Sequence, residues 1–110
     1  MTRRDPVTPD IYRRVLERDH GCVMADHCGA DPALCSIHLE LDHIDSLGFN
    51  LRGPSTLDNL VSVCSFHHKL KTEHAAYWRP LLRGYIAKAR NQHDIWHIDA
   101  WREPGCAWCA

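Results

Sequence analysis

The chain predicts an α+β fold: a small domain built on a strand–loop–strand–helix unit, with flanking helices and a metal staple. Three observations predict it. Residues His38 to Ile44 alternate as a half-buried strand does, with Leu39 and Leu41 on one face. Leu60, Val61 and Val63 form a second short apolar run, closed by Cys64 and followed at once by a helical stretch. A chain of 110 residues whose core is threaded by six Cys and nine His is expected to use a cross-link, from a metal or from disulfides.

Thr8-Pro9-Asp10 opens the first helix with a hydroxyl N-cap, a proline in the first turn and an acid near the positive dipole end. Ile11, Val15 and Leu16 follow at helical spacing, Arg13, Arg14 and Glu17 face outward, and Asp19-His20-Gly21 ends the helix. From Cys22 to Cys35, Gly29 and Pro32 predict a loop without regular structure. Asp45 to Thr56 carries Gly48, Gly53 and Pro54 and reads as a second long loop. A helix is expected from about His67 to Trp78, broken by Pro80, with a further amphipathic helix from Leu81 to Arg90. Periodicity is weak beyond that point. The expected organisation is one domain over 1–90, its motif core at about 20–78, and a C-terminal tail over 91–110 docked on the core.

The N-terminal residues lack the apolar segment of a secretory signal, and no stretch approaches the length of a membrane span. A cytoplasmic location is the expectation, where metal ligation by Cys outranks disulfides. The formal net charge is −1, which argues against tight nonspecific DNA binding by charge alone. Its distribution is uneven. Residues 21–65 hold Asp26, Asp31, Glu40, Asp42, Asp45 and Asp58 against Arg52, a local −5. Residues 66–90 hold Lys69, Lys71, Arg79, Arg83, Lys88 and Arg90 against Glu73, a local +5. The first segment can attract a cation and the second can follow a phosphate backbone.

Cys64 and His67, spaced C-x2-H at a strand-to-helix junction, can reach one ion. A closed tetrahedral zinc site needs two more ligands, for which Cys22, Cys28 and Cys35 compete. A second constellation lies close by. Asp42 offers a hard oxygen suited to Mg²⁺ or Mn²⁺, His43 a base that titrates near neutrality, Asn59 an orienting amide, and His68 a second ligand. Together they are the equipment for metal-assisted hydrolysis of a phosphodiester.

The order Leu39-Glu40-Leu41-Asp42-His43-Ile44, then Asn59, then Cys64-x2-His67-His68, resembles the HNH endonucleases of the ββα-metal fold. The resemblance covers about residues 10 to 85 and makes 1–90 the nuclease domain. It implies Asp42 and His68 as ligands of the catalytic cation (Mg²⁺, Mn²⁺ or Ni²⁺), His43 as general base and Asn59 as the residue holding the loop. It implies 5′-phosphate and 3′-hydroxyl products. For the structural zinc it implies Cys22 as first ligand and favours Cys35 over Cys28 as second, because Cys35 stands four residues before Leu39 as in the family's entry into the first strand. The departure is the twelve-residue gap after Cys22, where the family's common form has two. His67 and His68 would divide labour between the two ions, turned about 100° apart on the helix.

The segment Trp78 to Tyr85 is similar to HNH proteins of actinobacterial phages, which implies a phage or prophage source and the packaging terminase as a partner beside DNA. His93-x3-His97 with Cys106-x2-Cys109 has spacing for a second zinc, opposed by Trp101, Pro104 and Trp108 around it. Two rivals to the endonuclease stand: a zinc-stabilised DNA-binding module without catalysis, and a hydrolase of RNA or a nucleotide.

Overall fold

The structure is a computed structural model describing residues 6–48, 51–96 and 108. Helix α1 spans Pro9–Asp19 and starts as its sequence dictates, with Thr8 Oγ1 accepting from the Ile11 N–H at 3.2 Å. It ends at His20, whose left-handed backbone (φ 59°) lets its N–H bond the Leu16 carbonyl. A short helix α2 (Val23–His27) and a 3₁₀ turn (Pro32–Leu34) occupy the region expected to be irregular loop. The difference has a local cause: Asp31 caps the turn by accepting from the Ala33 N–H at 3.0 Å, and Pro32 takes the first position rather than disrupting it.

Strand β1 (Leu39–His43) pairs antiparallel with β4 (Leu60–Cys64), in a register running from Leu39 opposite Cys64 to His43 opposite Leu60. Between them lies a two-stranded hairpin, β2 (Ser46–Gly48) and β3 (Leu51–Arg52), where a loop was expected. All of β4 is buried, whereas in β1 only Asp42 is. Burial along β1 runs against the expected alternation, in which Leu39 and Leu41 would be the covered residues. Leu39 is exposed, and the Glu40/Asp42 face, shared with Val61 and Val63 opposite, turns toward helix α3. That inversion positions the polar cluster described below.

Helix α3 (Ser65–Glu73) follows β4 without a linker, and α4 (Ala75–Trp96) follows after His74 alone. The expected break at Pro80 is not observed. Pro80 lies inside α4, in its second turn, where it forgoes the N–H that would bond the Ala76 carbonyl. The chain turns at His74 instead, whose N–H reaches both the Leu70 and Lys71 carbonyls. The core joins Cys22, Val23 and Met24 of the α2 region, Ile44 just after β1, Val61 and Val63 of β4, and Trp78, Leu82 and Ile86 of α4.

Helix α1 is fixed to β4 by a polar knot rather than by apolar contact alone. Buried Asp19 accepts from the Arg18 guanidinium, from the Tyr85 hydroxyl (2.6 Å) and from the Ser62 N–H (2.8 Å). Arg18 also donates to the Leu57 and Leu60 carbonyls. Trp108 sits against this knot, its ring 5.3 Å from the guanidinium carbons of Arg18 and Arg90 and its indole N–H on Asp58. Among the described residues no helix is long and apolar enough to cross a membrane.

Candidate metal centres

Four side chains from three separate segments converge at the junction of β4 and α3. Cys22 precedes α2, Cys35 follows the 3₁₀ turn, Cys64 ends β4, and His67 sits in the first turn of α3. Their ligand atoms all lie within 4.8 Å of one another. The three sulfurs face one nitrogen: His67 Nδ1 is 3.6 Å from Cys22 Sγ, 3.5 Å from Cys35 Sγ and 3.2 Å from Cys64 Sγ. A tetrahedral zinc with bonds of about 2.3 Å to sulfur and 2.0–2.1 Å to nitrogen sets sulfur and nitrogen about 3.6 Å apart. The cluster therefore fits a structural metal such as zinc.

The surroundings support that use. His67 is fully buried and its Nε2 has no hydrogen-bond partner among the described residues, so the ring's polar commitment is to the three sulfurs through Nδ1. Leaving a buried imidazole with only weak thiol contacts would cost about 1–3 kcal/mol, which a metal bond offsets. Burial pushes the Cys64 thiol up, but the His67 N–H and Ser36 stabilise its thiolate more, bringing it down to about 6. Burial and the neighbouring thiols push Cys35 up to about 12, a cost that a bound cation removes by replacing the proton. Ser36 also bridges the two arms, its Oγ 2.6 Å from Ser65 Oγ and accepting from the Phe66 N–H. Cys28, the alternative to Cys35, lies outside the cluster. It caps the end of α2, packs on the core, and has its thiol pushed up to about 11 mainly by burial.

The second cluster begins one residue further along α3, where His68 meets Glu40 and Asp42 of β1. His68 Nε2 is 3.1 Å from Asp42 Oδ1, and His68 Nδ1 is 2.7 Å from Glu40 Oε1. Asp42 is buried, and its other oxygen, Oδ2, lies 2.9 Å from Lys71 Nζ. The Asp42 carboxylate against Nε2, offset in part by burial and reinforced by Glu40, raises the pKa of His68 above its ordinary value. Two acceptors 3.1 Å apart require one positive particle between them. Cis ligands of an octahedral cation with bonds of about 2.1 Å stand about 3.0 Å apart, so the Asp42–His68 pair fits a small divalent cation as well as it fits a proton.

His43 and Asn59 lie at the strand ends, and His43, still paired with Leu60 in the ladder, projects from the face of β1 opposite Glu40 and Asp42. His43 is half-buried with Nε2 2.9 Å from the Oγ of buried Ser55. The Asn59 amide ties the loop shut: its Oδ1 accepts from the Asp45 N–H, and its Nδ2 donates to the Asp45 and Pro54 carbonyls. Gly53 is needed there because a Cβ would stand 2.0 Å from the Asp45 carbonyl oxygen and 2.7 Å from Asn59 Nδ2.

The residues missed from sequence are Glu40 and Ser55. Glu40 had a legible signal, since alternation places it on the same strand face as Asp42; Ser55 had none. Lys71, one of the cations of the segment expected to follow a phosphate backbone, is buried instead: besides Asp42, it donates to the His43 and Ile44 carbonyls. Lys69 remains exposed. Of the second-zinc residues, His97, Cys106 and Cys109 lie outside the described residues, while His93 contacts Asp94 and Trp108. No family model, curated protein or solved structure matches the chain.

Proposed function

We propose that the protein is a metal-dependent endonuclease of the HNH type, hydrolysing DNA phosphodiester bonds on a zinc-stapled ββα-metal scaffold. The observation that carries this reading is the meeting of Asp42 and His68 at 3.1 Å, next to the Cys22, Cys35, Cys64 and His67 cluster. In this reading Asp42 and His68 hold the catalytic cation. When bound, the cation supplies positive charge to the scissile phosphate and the departing 3′ oxygen.

The chain's own residues do the rest. His43 takes the proton from the attacking water, the step for which a neutral imidazole is suited near pH 7. Asn59 and Gly53 hold the loop that carries Pro54 and Ser55, and Ser55 in turn contacts His43. Lys71 grips the Asp42 carboxylate and the carbonyls of His43 and Ile44, holding the strand end in place.

One observation favours the second reading, a zinc-stabilised DNA-binding module. Lys71 donates to Asp42 Oδ1 at 3.2 Å, the same oxygen that His68 Nε2 meets at 3.1 Å, an arrangement a purely structural Asp would also adopt. Incubation of supercoiled plasmid with Mg²⁺, Mn²⁺ or Ni²⁺ separates the two. The endonuclease predicts nicking or linearisation by zinc-loaded protein that requires the added cation and is absent when it is omitted. Tight binding to the plasmid with no cleavage in any cation would establish the module instead.

A further inference from the structure

His68 is held at both ring nitrogens by two acids from one strand. Glu40 and Asp42 stand two residues apart in β1 and therefore share a face, and the ladder to Val63 and Val61 fixes their backbones. The Glu40 contact is the shorter, 2.7 Å against 3.1 Å, within the range of charge-assisted bonds. We propose that Glu40 is the positioning residue of the cation site: its carboxylate accepts the Nδ1–H of His68 and so presents Nε2, beside Asp42, as a ligand. This rests on the reading of Asp42 and His68 as cation ligands.

Two physical effects follow from the geometry. An imidazole on the first turns of a helix can swing about its terminal torsion, and a fixed acceptor on one nitrogen orients the other. Charge is the second effect. Lys71 sits 2.9 Å from Asp42 and offsets its charge, so Glu40 is what keeps the group net negative and attractive to a cation. Glu40→Ala removes both effects. Glu40→Gln retains an acceptor for Nδ1–H but not the charge.

The test is a Mn²⁺ titration followed by electron paramagnetic resonance on zinc-loaded protein. Zinc content is measured for each variant, so that binding is read apart from cleavage. Mn²⁺ affinity should fall 10–100-fold in Glu40→Ala, with one zinc retained per chain, and Glu40→Gln should lie between it and the wild type. Glu40 is 46% exposed at its side chain, so both variants should fold; if Glu40→Ala loses zinc, Glu40→Gln decides. Wild-type affinity in the zinc-loaded Glu40 variants would overturn the positioning role while leaving the cation site standing. No Mn²⁺ bound by the wild type, or binding unchanged in His68→Ala, would overturn the Asp42–His68 site and this inference with it.

Discussion

At the residue scale, the choice between Cys35 and Cys28 shows what spacing alone leaves open. Both follow Cys22 within one irregular segment, and only the packing of the 3₁₀ turn against the start of α3 brings Cys35 to 3.5 Å from His67 while Cys28 points into the core. Cys35→Ser should therefore lower zinc content well below one per chain, and Cys28→Ser should leave it at one, as measured by atomic absorption on dialysed protein. Asp45 gives a pH prediction. The Arg83 guanidinium holds its carboxyl below the ordinary value, by a bond to Oδ1 and another of 3.1 Å to Oδ2. A lowered folded pKa means the pair stabilises above the unfolded value of about 3.9 and that this is lost as pH falls through the folded value. Both partners are largely exposed, so Asp45→Asn should lower the Tm slightly at pH 7, and the two proteins should converge in acid. Glu40 and Ser55 mark where residue reading stops: a hydrogen-bond partner supplied by another segment leaves little or no pattern in a linear sequence.

Elements whose signals are local were legible and those set by context were not. Helix α1 carries its own cap, and the apolar run of β4 is buried throughout, so both are found where the sequence places them. Helix α2 has only five residues and no side-chain cap, and its place depends on Cys22 and the packing of Val23 and Met24. β1 is the instructive case, because alternation identifies a strand but not which face is covered. Here α3 covers the polar face, and its His68 and Lys71 make that face usable. Pro80 misleads for a related reason. A helical proline ends a helix only if nothing else holds it, and Trp78 and Leu82 bury the flanking turns in the core. Replacing the exposed Pro80 by Ala restores the lost backbone bond and should stabilise by about 1–2 kcal/mol, less than the roughly 3 kcal/mol of a mid-helix proline, checked by urea denaturation.

For the whole molecule, the two charge segments turn out to be partners of each other. Asp42 pairs with Lys71, Asp45 with Arg83 and Asp58 with Arg90, so three acids of the −5 segment meet three cations of the +5 segment. Sequence showed the asymmetry but not that it closes on itself, and the phosphate-following face is correspondingly smaller than the local charge implied. A second expectation from size is dependence on a metal held by the Cys22, Cys35, Cys64 and His67 cluster. The four ligands link the α2 region, the 3₁₀ turn, β4 and α3, so removing the metal should release them together. Strong chelation of zinc, or Cys64→Ala, should convert the protein to an unfolded or molten species by circular dichroism; a stable, folded Cys64→Ala protein would count against the zinc site.

Catalysis is the central claim, and His43 is the residue whose loss tests it with least disturbance to the fold, being half-buried and outside the zinc cluster. The measurement is cation-dependent plasmid cleavage by His43→Ala beside wild-type protein, prepared identically and matched for zinc content. The variant should match the wild type in zinc content and thermal transition and lose cleavage by at least 10²-fold, as expected for removal of a general base. Equal cleavage by both proteins would contradict it, showing that the activity comes from a contaminant or from a site other than the one described.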